Sequence, residues 1–421
     1  MIKTNKLSNG ITLVMESMPY MQSVSFGVFV KIGSANETYK ENGIAHMIEH
    51  MLFKGTTNYS AKELADKMVE IGGNLNAYTA KECTGFYVRT LDKHLNTAIE
   101  IIGDMLNNSL IDKKDVVKEK RVVLDEIDMY MDSPEDMVHE ILQQKIWNKH
   151  PLGYIISGSK QNVRSFDEMS IKAFMDKHYI AQNIYISIAG RFNEIECIET
   201  LERHFSKVKA GKDIEDIEKP VYNRVAFSKF KDVEQVHVNI AFDSISIGDD
   251  KRYALAIVNA VLGGNVNSRL FQRIREELGL TYSIYSYSSC YSTAGLFHIY
   301  ATMNANQVER VIEEIKKVVE EFTTNGITKR ELEVAKEQTL TEMIISYESN
   351  EQRMEANSKH IMFMKEVPAF EEITDKIMSV TVEDVNEYVK KYLDFNTASI
   401  GIIGNTKEFS IKSILNKWRK I

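Results

Sequence analysis

Cysteine is scarce: the chain has three in 421 residues, Cys83, Cys197 and Cys290, odd in number and without a CxxC pair. That excludes a disulfide framework and a cysteine-built zinc site, and it favours a reducing compartment. Proline is scarce too, with five residues, and no low-complexity tract occurs, so nothing reads as long disorder. No apolar run approaches the roughly 18 residues that span a bilayer. The stretch from Met1 to Met15 lacks the apolar core of a signal peptide and the Arg-rich run of a transit peptide. The expectation is a cytoplasmic chain without a membrane span. Cationic excess is missing as well: the net charge is -8, which leaves no electrostatic footprint for nucleic acid.

What is present is core material. Hydrophobic residues make up 43% of the chain, too much for one core, so two or more domains are expected. Strand-like runs at Ile11–Met15 and Val24–Lys31 precede a helical pattern from Gly43 to Phe53, with Asn42 as its candidate N-cap. Ser60 and Glu63 form a capping box for a second helix that stops at Gly72-Gly73. Strands at Leu75–Thr79 and Phe86–Leu91 follow. Long helical patterns then run over Lys93–Asn107 and from Asp112 to about Trp147, and the half closes with a helix near Asp167–His178 and a strand at Ile184–Ala189.

The second half repeats this order. It reads as a strand at Val236–Phe242, helices at Lys251–Leu262 and Ser268–Leu278, and strands near Tyr282–Ser288 and Leu296–Ala301. Long helices at Gln307–Thr323 and Thr328–Ser349, a late helix at Val382–Tyr392 and a strand at Ala398–Ile403 complete it. The expected architecture is α+β, with two homologous domains at residues 1–210 and 220–421, each a mainly antiparallel sheet packed with helices. The charged stretch Ser206–Lys219 is the expected linker. Aligning Met51–Gly55 with Ala260–Gly264 sets His46, Glu49 and His50 opposite Leu255, Val258 and Asn259. Only the first half can carry metal chemistry at that position.

The segment Gly43–Gly55 holds His46, Glu49 and His50 in the order HxxEH. Four residues apart on a helix, the two imidazoles share one face and can grip one zinc ion. Glu49 lies on that face too, where it can hold a water and take its proton. A catalytic zinc site needs a third protein ligand. Glu126, on the helical pattern Val116–Tyr130, is the candidate, with Glu119 two turns earlier behind it; Asp125 points about 100° away. The bland alternative is an ordinary surface helix. Ala45, Met47, Ile48, Met51, Leu52 and Phe53 argue against that, because they make the helix apolar nearly all round, and burying two histidines and a glutamate without partners is costly. Gly263-Gly264 lacks the lysine and spacing of a phosphate loop.

At these residues the chain resembles the pitrilysin family of zinc peptidases, in particular the bacterial relatives of mitochondrial processing peptidase. Glu126 lies 76 residues after His50, as the family's glutamate ligand does, and Glu119 matches its supporting glutamate. The resemblance implies zinc, one per chain, on His46, His50 and Glu126, with Glu49 as general base. It extends to Gly72–Thr79, the glycine-led strand where an extended peptide would add beside Asn76 and Ala77. It also covers Arg275 and Tyr282, seven apart, which would hold the substrate backbone and developing oxyanion; Arg273 is a nearby competitor. The resemblance further implies an endopeptidase for unfolded peptides or extended segments, two domains facing each other around a cavity, and pairing, most simply as a homodimer. The contrasting expectation is a non-catalytic or partner subunit of a processing-peptidase-like complex.

Overall fold

Alternating Val, Ile and Phe residues assemble into two sheets. The computed structural model describes residues 2–212, 214–407, 409–410 and 412–414. The first sheet contains β1 (Ile2–Lys6), β2 (Thr12–Ser17), β3 (Ser23–Val30), β4 (Asn74–Thr79), β5 (Thr84–Leu91) and β6 (Ile184–Gly190). Their order is β1-β2-β6-β3-β5-β4. The second contains β7 (Ala226–Phe230), β8 (Gln235–Ser244), β9 (Ser283–Cys290), β10 (Gly295–Asn304) and β11 (Ser399–Gly404), in the order β7-β11-β8-β10-β9. Only β2 with β6 and β7 with β11 pair in parallel. With β1 set aside the two sheets trace one path, strand for strand, so the expected repeat and the α+β class are both present.

Helices supply the other side of each core. In the first half these include α1 (Ile44–Leu52), α2 (Ala61–Glu70), α3 (Leu95–Asn108), α4 (Lys113–Asp132) and α5 (Pro134–Ile146). Val24, Phe26 and Val28 of β3, Ile186 and Ile188 of β6, Met47, Ile48 and Met51 of α1, and Ile99 and Ile102 of α3 form one fully buried cluster. Each such side chain contributes about 1.5–3 kcal/mol by leaving water. The cluster therefore fixes α1 against the sheet. The second core has the same plan, and there Leu255 and Val258, on the helix Arg252–Leu262, are buried where the first half has His46 and Glu49.

Four sequence expectations need correction. The helix read through Asp112–Trp147 breaks at Ser133, which caps α5 by accepting from Asp136 N, with Pro134 at its first position. Asn42 does not cap α1; Gly43 does, at φ 102°, without a side-chain cap. The helix read over Ser268–Leu278 is a π-helix at Phe271–Glu277. Lastly, the compact units are not the contiguous segments 1–210 and 220–421. The first comprises Met1–Asp128, Tyr154–Ile217 and Ile345–Ala369; the second comprises Met129–Gly153, Glu218–Ile344 and Phe370–Ile421.

The reason is a reciprocal exchange of one helix. Within the second unit, α5 packs on β11 and β8, through Met137, Val138 and Ile141 against Tyr300 and Ile403. Within the first unit, the helix Asn350–Met364 packs on β6 and β3. That second docking joins an apolar cluster of Met354 and Met362 with Phe29 and Ala189 to a set of polar bonds. Asn350 is bonded to Ser25 and Ser23, Ser187 Oγ donates to Met354 O, and Glu16 takes both Arg353 and Asn357.

Candidate metal centre

Burial of Ile44, Ala45, Met47, Ile48, Met51 and Leu52 leaves α1 only one free stripe, and His46, Glu49 and His50 occupy it. Across from it, α4 buries Val116, Val123 and Ile127 and turns Glu119 and Glu126 toward the histidines. His46 Nε2 lies 3.6 Å from one oxygen of Glu126, and His50 Nε2 lies 3.4 Å from the other. The two imidazole rings stand edge to face, 4.8 Å between centroids. One ligand atom from each of His46, His50 and Glu126 falls within 4.8 Å of the others, the one such group among the described residues.

The donor set fits zinc. Bonds of about 2.0–2.1 Å in a tetrahedron separate ligand atoms by about 3.3 Å, close to both Nε2–carboxylate distances. The protonation states of His46 and Glu126 fit as well. Burial, with His50 adding to it and Glu126 opposing it, pushes the His46 imidazole down to about 4, so it is neutral and can offer a lone pair. Burial also disfavours charge on His50, but bonds to Glu126 and Glu119 outweigh it and raise its affinity for a proton. Glu126 is held below the usual carboxylate range, mainly by its bond to His50.

Glu119 stands behind His50 as expected. It is 6% exposed, its Oε2 sits 3.2 Å from His50 Nδ1, and its Oε1 lies 2.7 Å from Lys54 Nζ. A proton on Nδ1, facing Glu119, leaves Nε2 free as a ligand. His46 has no such support: its Nδ1 is buried without a hydrogen-bond partner among the described residues.

Glu49 is half-buried, and burial raises its carboxyl while Thr79 and His50 pull it down and Glu126 raises it. Thr79 Oγ1 donates to Glu49 Oε2 at 2.5 Å. Thr79 ends β4, the outermost strand of the first sheet, which pairs only with β5, Asn76 facing Tyr87 and Ala77 facing Phe86. Replacing Thr79 with Val keeps the shape and deletes the donor. For the peptidase activity that the family resemblance implies, kcat is expected to fall about tenfold, the worth of one hydrogen bond to a charged group, with metal content unchanged; parallel kinetics and metal analysis check it.

In the second unit, the Arg275 guanidinium stacks over the rings of Phe271 at 4.6 Å and Tyr282 at 5.4 Å. Tyr282 is 76% exposed. Arg273 is engaged by Glu277 and Glu314, and Arg275 lies 3.9 Å from Glu276 Oε1. Sequence reasoning missed Thr79 and Lys54 as contributors. Lys54 follows the motif directly and Thr79 ends the quoted strand, but neither pairing has a spacing signature.

Comparison with known proteins agrees with the fold. Residues 12–160 match the family model described as Insulinase (Peptidase family M16), and residues 165–339 match Peptidase M16 inactive domain. An uncharacterized zinc protease of Bacillus subtilis, YmxG, is 37% identical over 407 residues, covering 96% of this chain and 99% of that protein. The chain therefore belongs to peptidase family M16, the pitrilysin family of metallopeptidases. A Helicobacter pylori protease structure shares the fold with a TM-score of 0.90 at 21% identity, covering 96% of this chain and 99% of its own. A chain of the structure of complex III from Candida albicans shares it with a TM-score of 0.86 at 19% identity, covering 99% and 100%.

Proposed function

We propose that this chain is a zinc-dependent endopeptidase that hydrolyses unfolded peptides or extended segments. The convergence of His46 Nε2, His50 Nε2 and both Glu126 oxygens carries the reading. His46, His50 and Glu126 would hold one zinc ion. Bound there, zinc would polarise the scissile carbonyl and acidify water. Glu49 orients the attacking water, takes its proton and passes it to the leaving amine. Thr79 keeps the Glu49 carboxylate aimed, and Glu119 with Lys54 keeps His50 in its ligand tautomer.

The free edge of β4 offers backbone groups to an extended peptide, with Asn76 and Ala77 beside it. Arg275 and Tyr282 hold the substrate backbone and the developing oxyanion. The chain works in the cytoplasm as a homodimer. A second reading, a non-catalytic subunit, draws on the likeness to a chain of complex III. A retained His46, Glu49, His50 and Glu126 set weighs against it, since a scaffold needs none of them.

Elemental analysis of the purified chain, together with mass-spectrometric mapping of cleavage in a mixed peptide library, tests the choice. About one zinc per chain and cleavage that stops with a chelator and returns with zinc supports the peptidase. A zinc-free chain that leaves every peptide intact after zinc is supplied supports the scaffold.

A further inference from the structure

Helix α1 begins in a way that leaves its first turn without help from its own cap. Gly43 sits at φ 102°, and a Cβ there would come 2.8 Å from Ser157 O and 3.0 Å from Gly158 Cα, so no Ser, Asp or Asn fits. The amide groups of a helix's first turn have no partners inside the helix. Here they are taken by a residue outside it. Glu37 is 3% exposed, and its Oε2 accepts from Gly43 N at 2.8 Å while its Oε1 accepts from Ala45 N at 2.8 Å. Asn42 Nδ2 completes the cradle, donating to Glu37 Oε2 at 2.9 Å and to Ile155 O at 2.9 Å. A buried carboxyl group, pushed up to about 7 by burial against the pull of the Asn42, Ala45 and Gly43 bonds, thus sits at the helix end whose amides need acceptors.

The place of this carboxylate matters because of what α1 carries. His46 lies in the first turn and His50 in the last turn of a nine-residue helix. One ligand therefore rides on the turn that Glu37 fastens, and the other rides on the turn whose His50 meets both Glu119 and Glu126. Loosening the first turn moves His46 relative to His50 and Glu126. Metal sites tolerate departures of only about 0.2 Å in ligand distance. His46 has no hydrogen bond on its Nδ1 among the described residues. Its ring therefore lacks the outer carboxylate that His50 has in Glu119, and its backbone position counts for more.

We infer that Glu37, with Asn42, is a positioning residue for the zinc site, setting His46 through the amide groups of Gly43 and Ala45. The inference rests on the zinc reading above. A purely structural cap would lower the stability of the apo chain and leave zinc affinity alone; a positioning carboxylate changes affinity and ligand geometry.

The test uses the full chain with zinc or cobalt ions alone. It compares wild type with Glu37→Ala, Glu37→Gln and Asn42→Ala, measuring zinc Kd by competition with a chromophoric chelator, the cobalt d–d absorption and apo Tm. Glu37→Ala is expected to weaken zinc binding at least tenfold and to diminish the cobalt bands. Glu37→Gln keeps one acceptor and should fall between Ala and wild type, and Asn42→Ala should lose about threefold. If Glu37→Ala does not fold, the other two variants carry the comparison. Zinc Kd and cobalt bands unchanged in the folded variants, with Tm lowered, overturn the inference while leaving the peptidase intact. A wild-type chain that binds no zinc overturns both.

Discussion

Replacing Glu49 with Gln is expected to cut kcat for peptide cleavage by about 1,000-fold or more while leaving about one zinc per chain. The substitution keeps the side chain's size and its contact with Thr79, but an amide cannot accept the proton of the attacking water. Glu49 is not among the three residues whose donor atoms converge, so metal content should not change. Glu49 also sits where a base is useful. Burial raises its carboxyl above the usual carboxylate range, while the Thr79 bond pulls it down and holds the side chain in place. Steady-state kinetics beside elemental analysis give the answer. A Glu49→Gln chain that cleaves at wild-type rate would sink the mechanism.

The other large effect is expected from His50→Ala, which should abolish both zinc binding and cleavage. The change removes one ligand atom and the group that Glu119 orients. The remaining His46 and Glu126 pair, with its 3.6 Å separation, cannot complete a site that needs three protein ligands. Glu119→Gln offers a graded control: it keeps all three ligands and should weaken zinc by about 10–100-fold. Lys54, 2.7 Å from Glu119, then loses its anionic partner. Zinc retained at full affinity by His50→Ala would place the metal elsewhere.

The centre was legible because helical geometry converts spacing into proximity. His46, Glu49 and His50 had to share a face, and the seven-residue step from Glu119 to Glu126 had to put both on one side of α4. The contributions of Thr79 and Glu37 were not legible, because each depends on a strand or loop brought back to α1 by tertiary packing. The repeat of strands was legible because the first half's buried alternation recurs in the second. The helix Asn350–Met364 escaped for an instructive reason. Its buried face mixes Asn350, Asn357 and Ser358 with Met354, Ile361 and Met362, so the polar residues interrupt the apolar periodicity that would have marked it. At Pro134 the sequence did hold the signal: a Ser-Pro pair marks a helix start, and the apolar periodicity ran past it.

The reciprocal loan of α5 and the helix Asn350–Met364 has the form of a domain-swapped dimer whose two copies share one polypeptide. The chain passes between its units five times, so they are laced together and not merely tethered through the charged stretch near residue 217. Severing that stretch would yield two fragments, each owning the helix that completes the other's sheet. Two of the five crossings lie inside continuous helices, Lys113–Asp132 and Lys329–Tyr347. The first of these helices also carries Glu119 and Glu126, so the rod that completes the metal centre is one whose last turn already belongs to the second unit.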